Sequence, residues 1–289
     1  MKAPTVPALL CAKSLDVALG GRLILRDVSL PIQKASLVAI VGPNGSGKST
    51  LLRALAGLLP SSSGSIELAG QPISRYRRRD VARILSYVPQ DTRVEFGFTV
   101  RQIVAMGRHP HMGRFAGETQ RDHDAIDRGL ALCDVDHLRN RQINTLSGGE
   151  RQRALIARCL AAETPCILLD EPTASLDLEH ALDIFTLARK LADAGSAIVL
   201  CTHDLNNGLR FGTSLVVLRQ GVVAFASSGS TSPKQGMPPE EQTDTERTTV
   251  EPSVIEPSVI EAVFGVRAEA VLSANGTPHY VFHPKDHHS

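Results

Sequence analysis

The chemistry in this chain begins at Gly42-Pro43-Asn44-Gly45-Ser46-Gly47-Lys48-Ser49-Thr50. An apolar run, Val38-Ala39-Ile40-Val41, leads in, and the helix-forming Leu51-Leu52-Arg53-Ala54-Leu55 leads out. Strand, glycine-rich turn and helix in that order make a phosphate-binding loop. Glycines let backbone N–H groups curl around an oxyanion without Cβ clashes. The helix that follows turns its unpaired N–H groups and positive dipole end toward the same anion. Lys48 adds a full charge for the β- and γ-phosphates, and the Ser49 hydroxyl is a ligand for Mg²⁺. The nine residues from Gly42 to Thr50 are therefore expected to bind a nucleoside triphosphate.

Two further strings bear on the reaction. In Leu168-Leu169-Asp170-Glu171, apolar residues lead to paired carboxylates at a strand's carboxyl end, where open α/β sheets bind their ligands. Asp170 is placed to hold Mg²⁺ and Glu171 to polarise an attacking water. The two carboxylates would repel without a cation, so the pair itself implies a metal. The N-K-x-D guanine selector of GTPases is absent. In Leu146-Ser147-Gly148-Gly149-Glu150-Arg151-Gln152, serine and two glycines precede a helical pattern. That is a second anion-binding helix N-terminus, where one nucleotide needs only one. The surplus makes sense if two copies meet head to tail and each completes the other's pocket.

Taken together, these strings resemble the ATP-binding cassette family, over about residues 12–226 and again over 259–282. The remaining family motifs fall in order: Gln90 after Tyr87-Val88-Pro89, Ser175-Leu176-Asp177, and His203 in Thr202-His203-Asp204. The resemblance implies ATP and Mg²⁺ as cofactors, with Ser49, Gln90 and Asp170 on the metal. It implies Glu171 as the base, His203 against the γ-phosphate, and Gln90 as the sensor of Mg²⁺ and lytic water. Ser147, Gly148, Gly149 and Asp177 would act in trans within a homodimer. Implied partners are integral-membrane permease subunits and, indirectly, a periplasmic or surface substrate-binding protein. The implied place is the cytoplasmic face of the inner (plasma) membrane. Val104-Ala105-Met106-Gly107-Arg108-His109-Pro110-His111 looks like the "GR-x-P" stretch of importers for ferric siderophores, haem and vitamin B12. There His109 and His111 should face the permease rather than bind metal. Three rivals stay open: another transporter class, a cassette ATPase acting on DNA or ribosomes, and a nucleotide-gated switch. The chain departs from the family at Leu19, where an aromatic would stack on adenine. It also has Ala35-Ser36 for the usual Gly-Glu, which predicts a turn without positive φ.

The elements that must position these residues follow from periodicity and from the resemblance. The expected fold class is α/β: a P-loop NTPase core with a mostly parallel sheet, an antiparallel β subdomain and an inserted helical subdomain. Short strands are expected at 15–17, 23–25, 28–30 and 84–88, and an edge strand at 65–68. The loop helix should end near Gly57, a suitable C′ residue with Pro60 beyond it. The basic run Arg75, Arg77, Arg78 and Arg79 reads as a solvated helix face. Helical periodicity governs 99–161, with Val100, Ile103 and Val104 on one face, and defines a helical subdomain at about 97–162. Apolar runs at 166–169 and 197–200 suit central strands of a covered, mostly parallel sheet. The cassette spans 12–226, and 227–258 reads as a flexible linker carrying two copies of Glu-Pro-Ser-Val-Ile. Residues 259–289 form a C-terminal element and tail, in which 259–264 docks on the core. Pro284 interrupts any helix that would align His279, His283, His287 and His288, so a tail is favoured over a metal site there.

Composition sets the outer bounds. With 289 residues there is room for one large domain or one domain and an appendage. Lys plus Arg number 31 against 30 Asp plus Glu, which gives no electrostatic reason to expect nucleic acid. No apolar run reaches bilayer-spanning length. Pro4, Pro7 and a lone Lys2 argue against a cleaved leader. The five cysteines show no C-x-x-C spacing, as expected of buried reduced thiols.

Overall fold

The computed structural model describes residues 8–90, 97–113, 117–174, 176–227, 255–272 and 278–284. Strands β1 (Leu10–Leu19) and β2 (Arg22–Ile32) open the chain, followed by β3 (Ser36–Val41) and helix α1 (Lys48–Leu55). Next come β4 (Ser63–Leu68), β5 (Gln71–Pro72), α2 (Arg78–Val81) and β6 (Leu85–Val88). Helices α3 (Val100–Ala105), α4 (Gln120–Leu132) and α5 (Gly148–Ala161) form the helical insertion. The core resumes with β7 (Cys166–Asp170), α6 (Leu178–Asp193), β8 (Ala197–Thr202), α7 (Leu205–Phe211), β9 (Ser214–Arg219) and β10 (Val222–Ala226). A C-terminal element of α8 (Pro257–Phe264), β11 (Arg267–Leu272) and β12 (Pro278–His283) completes it.

The main sheet has the order β10-β9-β3-β8-β7-β6. Five of its strands are parallel and β10 alone runs antiparallel, against β9. β3, which feeds the glycine loop, is flanked by β8 and β9, so the loop emerges at the middle of the sheet's carboxyl edge. Side chains alternate across the sheet as strand geometry requires. Val38 and Ile40 of β3 pack with β1, β2 and α1, while Ala39 and Val41 pack with α7 and α8. The antiparallel sheet is ordered β2-β1-β4-β5.

The helical insertion is defined by its caps. α3, α4 and α5 each begin with a reciprocal capping box, at Thr99/Gln102, Thr119/Asp122 and Ser147/Glu150. Each satisfies two otherwise orphaned N–H donors. Val100, Ile103 and Val104 are buried against α4 and α5.

Several expectations need correction. The strands expected at 23–25 and 28–30 are one strand, β2, carried through a distortion where Asp27 takes φ 49. Ala35 does adopt a positive φ, 53. Its N–H donates to Gly195 O at 3.2 Å and the next N–H to Ser196 O at 3.2 Å, so tertiary pairing imposes a left-handed turn that costs a non-glycine residue about 1–2 kcal/mol. The basic run is exposed as expected, but Arg79 also donates to Pro110 O at 3.0 Å and to Met112 O, beside Arg83 to Pro110 O at 2.8 Å. The two arginines tie the α2 segment to the helical insertion. His279 and His283 lie on β12, paired with β11, while His287 and His288 lie outside the described residues. The expected linker lies mostly outside them too, but Ile255 is fully buried and Pro257 stands in the first turn of α8.

Candidate functional site

The glycine loop turns directly from β3 into α1. Gly47 is the N-cap of α1 at φ 105, a conformation closed to side-chain-bearing residues. A Cβ on Gly42 would stand 2.2 Å from Leu218 O, so only glycine lets the loop pack on β9. Inside the loop, Ser46 Oγ is buried with no hydrogen-bond partner. Asn44 and Gly45 at the loop's apex are exposed.

Lys48 is buried on the first turn of α1. Its Nζ donates to Gly42 O at 2.9 Å and Pro43 O at 3.2 Å, and lies 3.1 Å from Glu171 Oε1. The other Glu171 oxygen accepts from Gln90 Nε2 at 2.9 Å. Glu171 itself takes φ 46, with its N–H donating to Cys201 O at 3.1 Å. A non-glycine residue in the left-handed region is strained, and here the strained residue carries the carboxylate that meets Lys48. The ammonium is held by Glu171 and two loop carbonyls.

Asp170, one residue earlier, is 1% exposed. It accepts from Ser49 Oγ at 2.9 Å and from the Tyr87 hydroxyl at 3.1 Å. Burial pushes its carboxyl above the usual carboxylate value, against the opposing pull of those two hydrogen bonds. The Tyr87 hydroxyl is pushed well up, by burial first and the Asp170 charge second. A buried carboxylate beside a serine hydroxyl is a set of hard oxygen donors, the kind Mg²⁺ takes, and the orphaned Ser46 hydroxyl is a donor in search of an acceptor such as phosphate oxygen. The residues fit a magnesium–triphosphate pair. Among the described residues no cluster of three or more His, Cys, Asp or Glu is placed to hold a metal ion.

One cavity of ≈ 820 Å³ gathers the glycine loop, Lys48, Ser49, Thr50, Gln90, Glu171 and His203, and adds Ile24, Ala174 and Phe264. Ser147, Gly148, Gly149 and Asp177 do not line it. Ser147 is an exposed N-cap whose Oγ accepts from Glu150 N at 3.3 Å. Asp177 caps α6 and accepts from His180 N at 3.0 Å. Ser175 lies outside the described residues.

The "GR-x-P" stretch has an internal role that spacing alone did not reveal. Arg108 is 2% exposed and donates to Asp122 Oδ1 at 2.8 Å, Ala161 O at 2.8 Å and Glu163 Oε2 at 3.1 Å. Those bonds stitch the α3 end to α4 and α5. Hydrogen bonds from Thr119 first, then Arg108, hold the Asp122 carboxyl well below the usual carboxylate range. His111 Nε2 donates to Ala162 O at 2.8 Å, and His109 is exposed. Burial pushes the Cys133 and Cys166 thiols up to about 12. Sequence reasoning missed Tyr87, Ile24 and Phe264 as site neighbours. Tyr87 was within reach, since it sits on the strand beside the one that ends in Asp170. Phe264 carried no local signal.

A family model for ABC transporters matches residues 25–174. The cobalamin import ATP-binding protein of Halobacterium salinarum is 46% identical over 215 residues, covering 74% of this chain and 54% of that protein. The chain thus spans about half the length of that relative. The hemin import ATP-binding protein of Nocardia farcinica is 43% identical over 230 residues, 76% of this chain and 79% of that one. Among solved structures, an inward-facing conformation described as a metal-chelate type ABC transporter superposes with a TM-score of 0.75 at 26% identity, over 96% of this chain and 98% of that one.

Proposed function

The chain belongs to the ABC transporter family, and from that premise we propose that it is the ATP-hydrolysing subunit of an importer for a metal chelate: a ferric siderophore, haem or cobalamin. The observation that carries this reading is the convergence of Lys48, Ser49, Gln90, Glu171 and His203 on one cavity at the sheet's carboxyl edge. The importer class rests on likeness to relatives described as cobalamin and hemin import ATP-binding proteins.

In this reading the triphosphate enters the glycine loop and draws Lys48 away from Glu171. Asp170 and Ser49 would hold Mg²⁺, which would supply charge neutralisation for the phosphates. Glu171, freed from the ammonium and positioned by Gln90, accepts a proton from the attacking water, and His203 contacts the γ-phosphate. Ser147, Gly148, Gly149 and Asp177 stand apart from their own chain's cavity. They act on the nucleotide of a second copy, so that the working unit is a homodimer. It sits at the cytoplasmic face of the membrane against permease subunits, fed by a substrate-binding protein. No helix of the described residues is long and apolar enough to cross a membrane, and the permeases supply that passage.

Phosphate release from Mg-ATP by the purified chain, alone and with a metal-chelate permease, tests the reading. Turnover that depends on Mg²⁺, disappears in Lys48→Ala and responds to the permease supports it. A chain that binds Mg-ATP without hydrolysing it in either setting favours the nucleotide-gated switch instead.

A further inference from the structure

The C-terminal element reaches the nucleotide cavity. α8 buries Ile260 and Val263 against Ala39, Val41, Leu215 and Val217, and its last residue, Phe264, lines the cavity with His203. The helix ends there because Gly265 takes φ 71 as its left-handed cap. The element is tied to itself. Tyr280, 1% exposed, donates its hydroxyl to Ile255 O at 2.6 Å, and Ala268 N donates to Glu261 Oε1 at 3.0 Å.

Its hydrogen-bonded link to the core involves the segment that carries His203. Asn206, three residues on, sits in the first turn of α7 and pairs in both directions with the backbone of β12. Its Nδ2 donates to Tyr280 O at 3.0 Å and its Oδ1 accepts from Tyr280 N at 2.8 Å. Asp204 caps the same turn by accepting from Asn207 N at 2.9 Å. The His203 segment is thus held by β8 on one side and by the C-terminal strand on the other.

We propose that α8 with β11 and β12 is a working part of the nucleotide site. Phe264 is an apolar wall beside His203, and the Asn206–Tyr280 pair positions His203 against the terminal phosphate. This rests on the reading of the cavity as an ATP site. Phe264 does not stand in for the missing adenine stack. Alternation along β3 puts α8 on the face opposite β1 and β2, and Leu19 lies at the end of β1. An apolar wall at the phosphate end keeps water out and strengthens the charge interactions there, so it acts on turnover rather than on base recognition.

The test uses the full chain and steady-state ATP hydrolysis, with melting curves to confirm folding and direct Mg-ATP titration for affinity. Phe264→Ala and Asn206→Ala should each lower kcat about tenfold, with KM and Mg-ATP affinity within about twofold of the parent, since small misplacements of a catalytic group cost up to about 100-fold. Phe264→Leu should recover most of the rate, because the wall needs apolar bulk rather than a ring. In a His203→Ala background, Asn206→Ala should cost nothing further, as expected of residues acting through one another. Parent-like kcat in both alanine variants overturns the proposal, as does a raised KM with kcat unchanged. Additive losses of His203→Ala and Asn206→Ala overturn it too. If Phe264→Ala fails to fold, Phe264→Leu and the Asn206 cycle decide. A parent chain that neither binds nor hydrolyses Mg-ATP removes the underlying reading, whereas an active parent matched by its variants removes this proposal alone.

Discussion

Glu171→Gln changes one charge and almost no shape, and the structure shows what that charge meets. One carboxylate oxygen lies 3.1 Å from Lys48 Nζ and the other accepts from Gln90. Unit charges at that distance attract by about 5 kcal/mol at an effective dielectric near 20. A triphosphate must displace this carboxylate to reach Lys48, but recovers much of the attraction through its own charge. With the neutral amide in place the competition is gone. We expect Mg-ATP to bind about tenfold more tightly, or about 1.4 kcal/mol. In the proposed mechanism the same substitution removes the proton acceptor, and loss of general-base help costs about 10²–10⁴ in rate. Nucleotide titration at equilibrium and continuous phosphate release measure the two effects on one preparation. Hydrolysis within threefold of the parent removes Glu171 from the base's role. Weaker ATP binding by the variant shows that Glu171 does not compete with the triphosphate for Lys48.

The other predictions are independent of that one. Asp170 is raised above its ordinary value of 3.8 by burial, so in the window above 3.8 the folded chain holds a proton that the unfolded chain has lost, and stability falls as pH rises through it. Asp170→Asn should therefore melt higher than the parent at neutral pH without nucleotide, with the gain vanishing below that window, while losing the Mg²⁺-dependent part of ATP stabilisation. A lower melting point at neutral pH contradicts this. Leu19→Tyr offers a stacking surface where Leu19 is 38% exposed, and should tighten adenine nucleotides about tenfold, from a stack worth about 1–3 kcal/mol, with little change in inorganic triphosphate binding. Arg108→Ala leaves the buried Asp122 carboxylate without its guanidinium and should cost about 3–5 kcal/mol in denaturant unfolding. A loss under 1 kcal/mol contradicts the stitching role.

Much of this site was legible in the sequence because phosphate chemistry makes local demands. A loop that wraps an anion needs glycines at fixed offsets, and the carboxylates need the end of a buried strand. Gly42–Thr50 and Asp170-Glu171 announce both within a few residues. The helical character of 99–161 was legible for the same reason, since periodicity is local, as are the caps Thr99, Thr119 and Ser147. What stayed hidden depends on contacts between distant stretches. Ala35 is left-handed because a loop 160 residues later receives its N–H. Arg108 looks like a surface arginine in a histidine-rich string, and only the packing of α4 and α5 turns it inward. Phe264 enters the cavity by way of α8, beyond a stretch that gave no sign of returning to the site.

The account stands most directly on a pocket made by two chains, and sedimentation of Glu171→Gln at saturating Mg-ATP measures it. The account predicts a dimer of the 31.0 kDa chain, and a return to monomer, with nucleotide still bound, when Ser147→Arg is added. A single chain in the first case, or an unchanged dimer in the second, contradicts it.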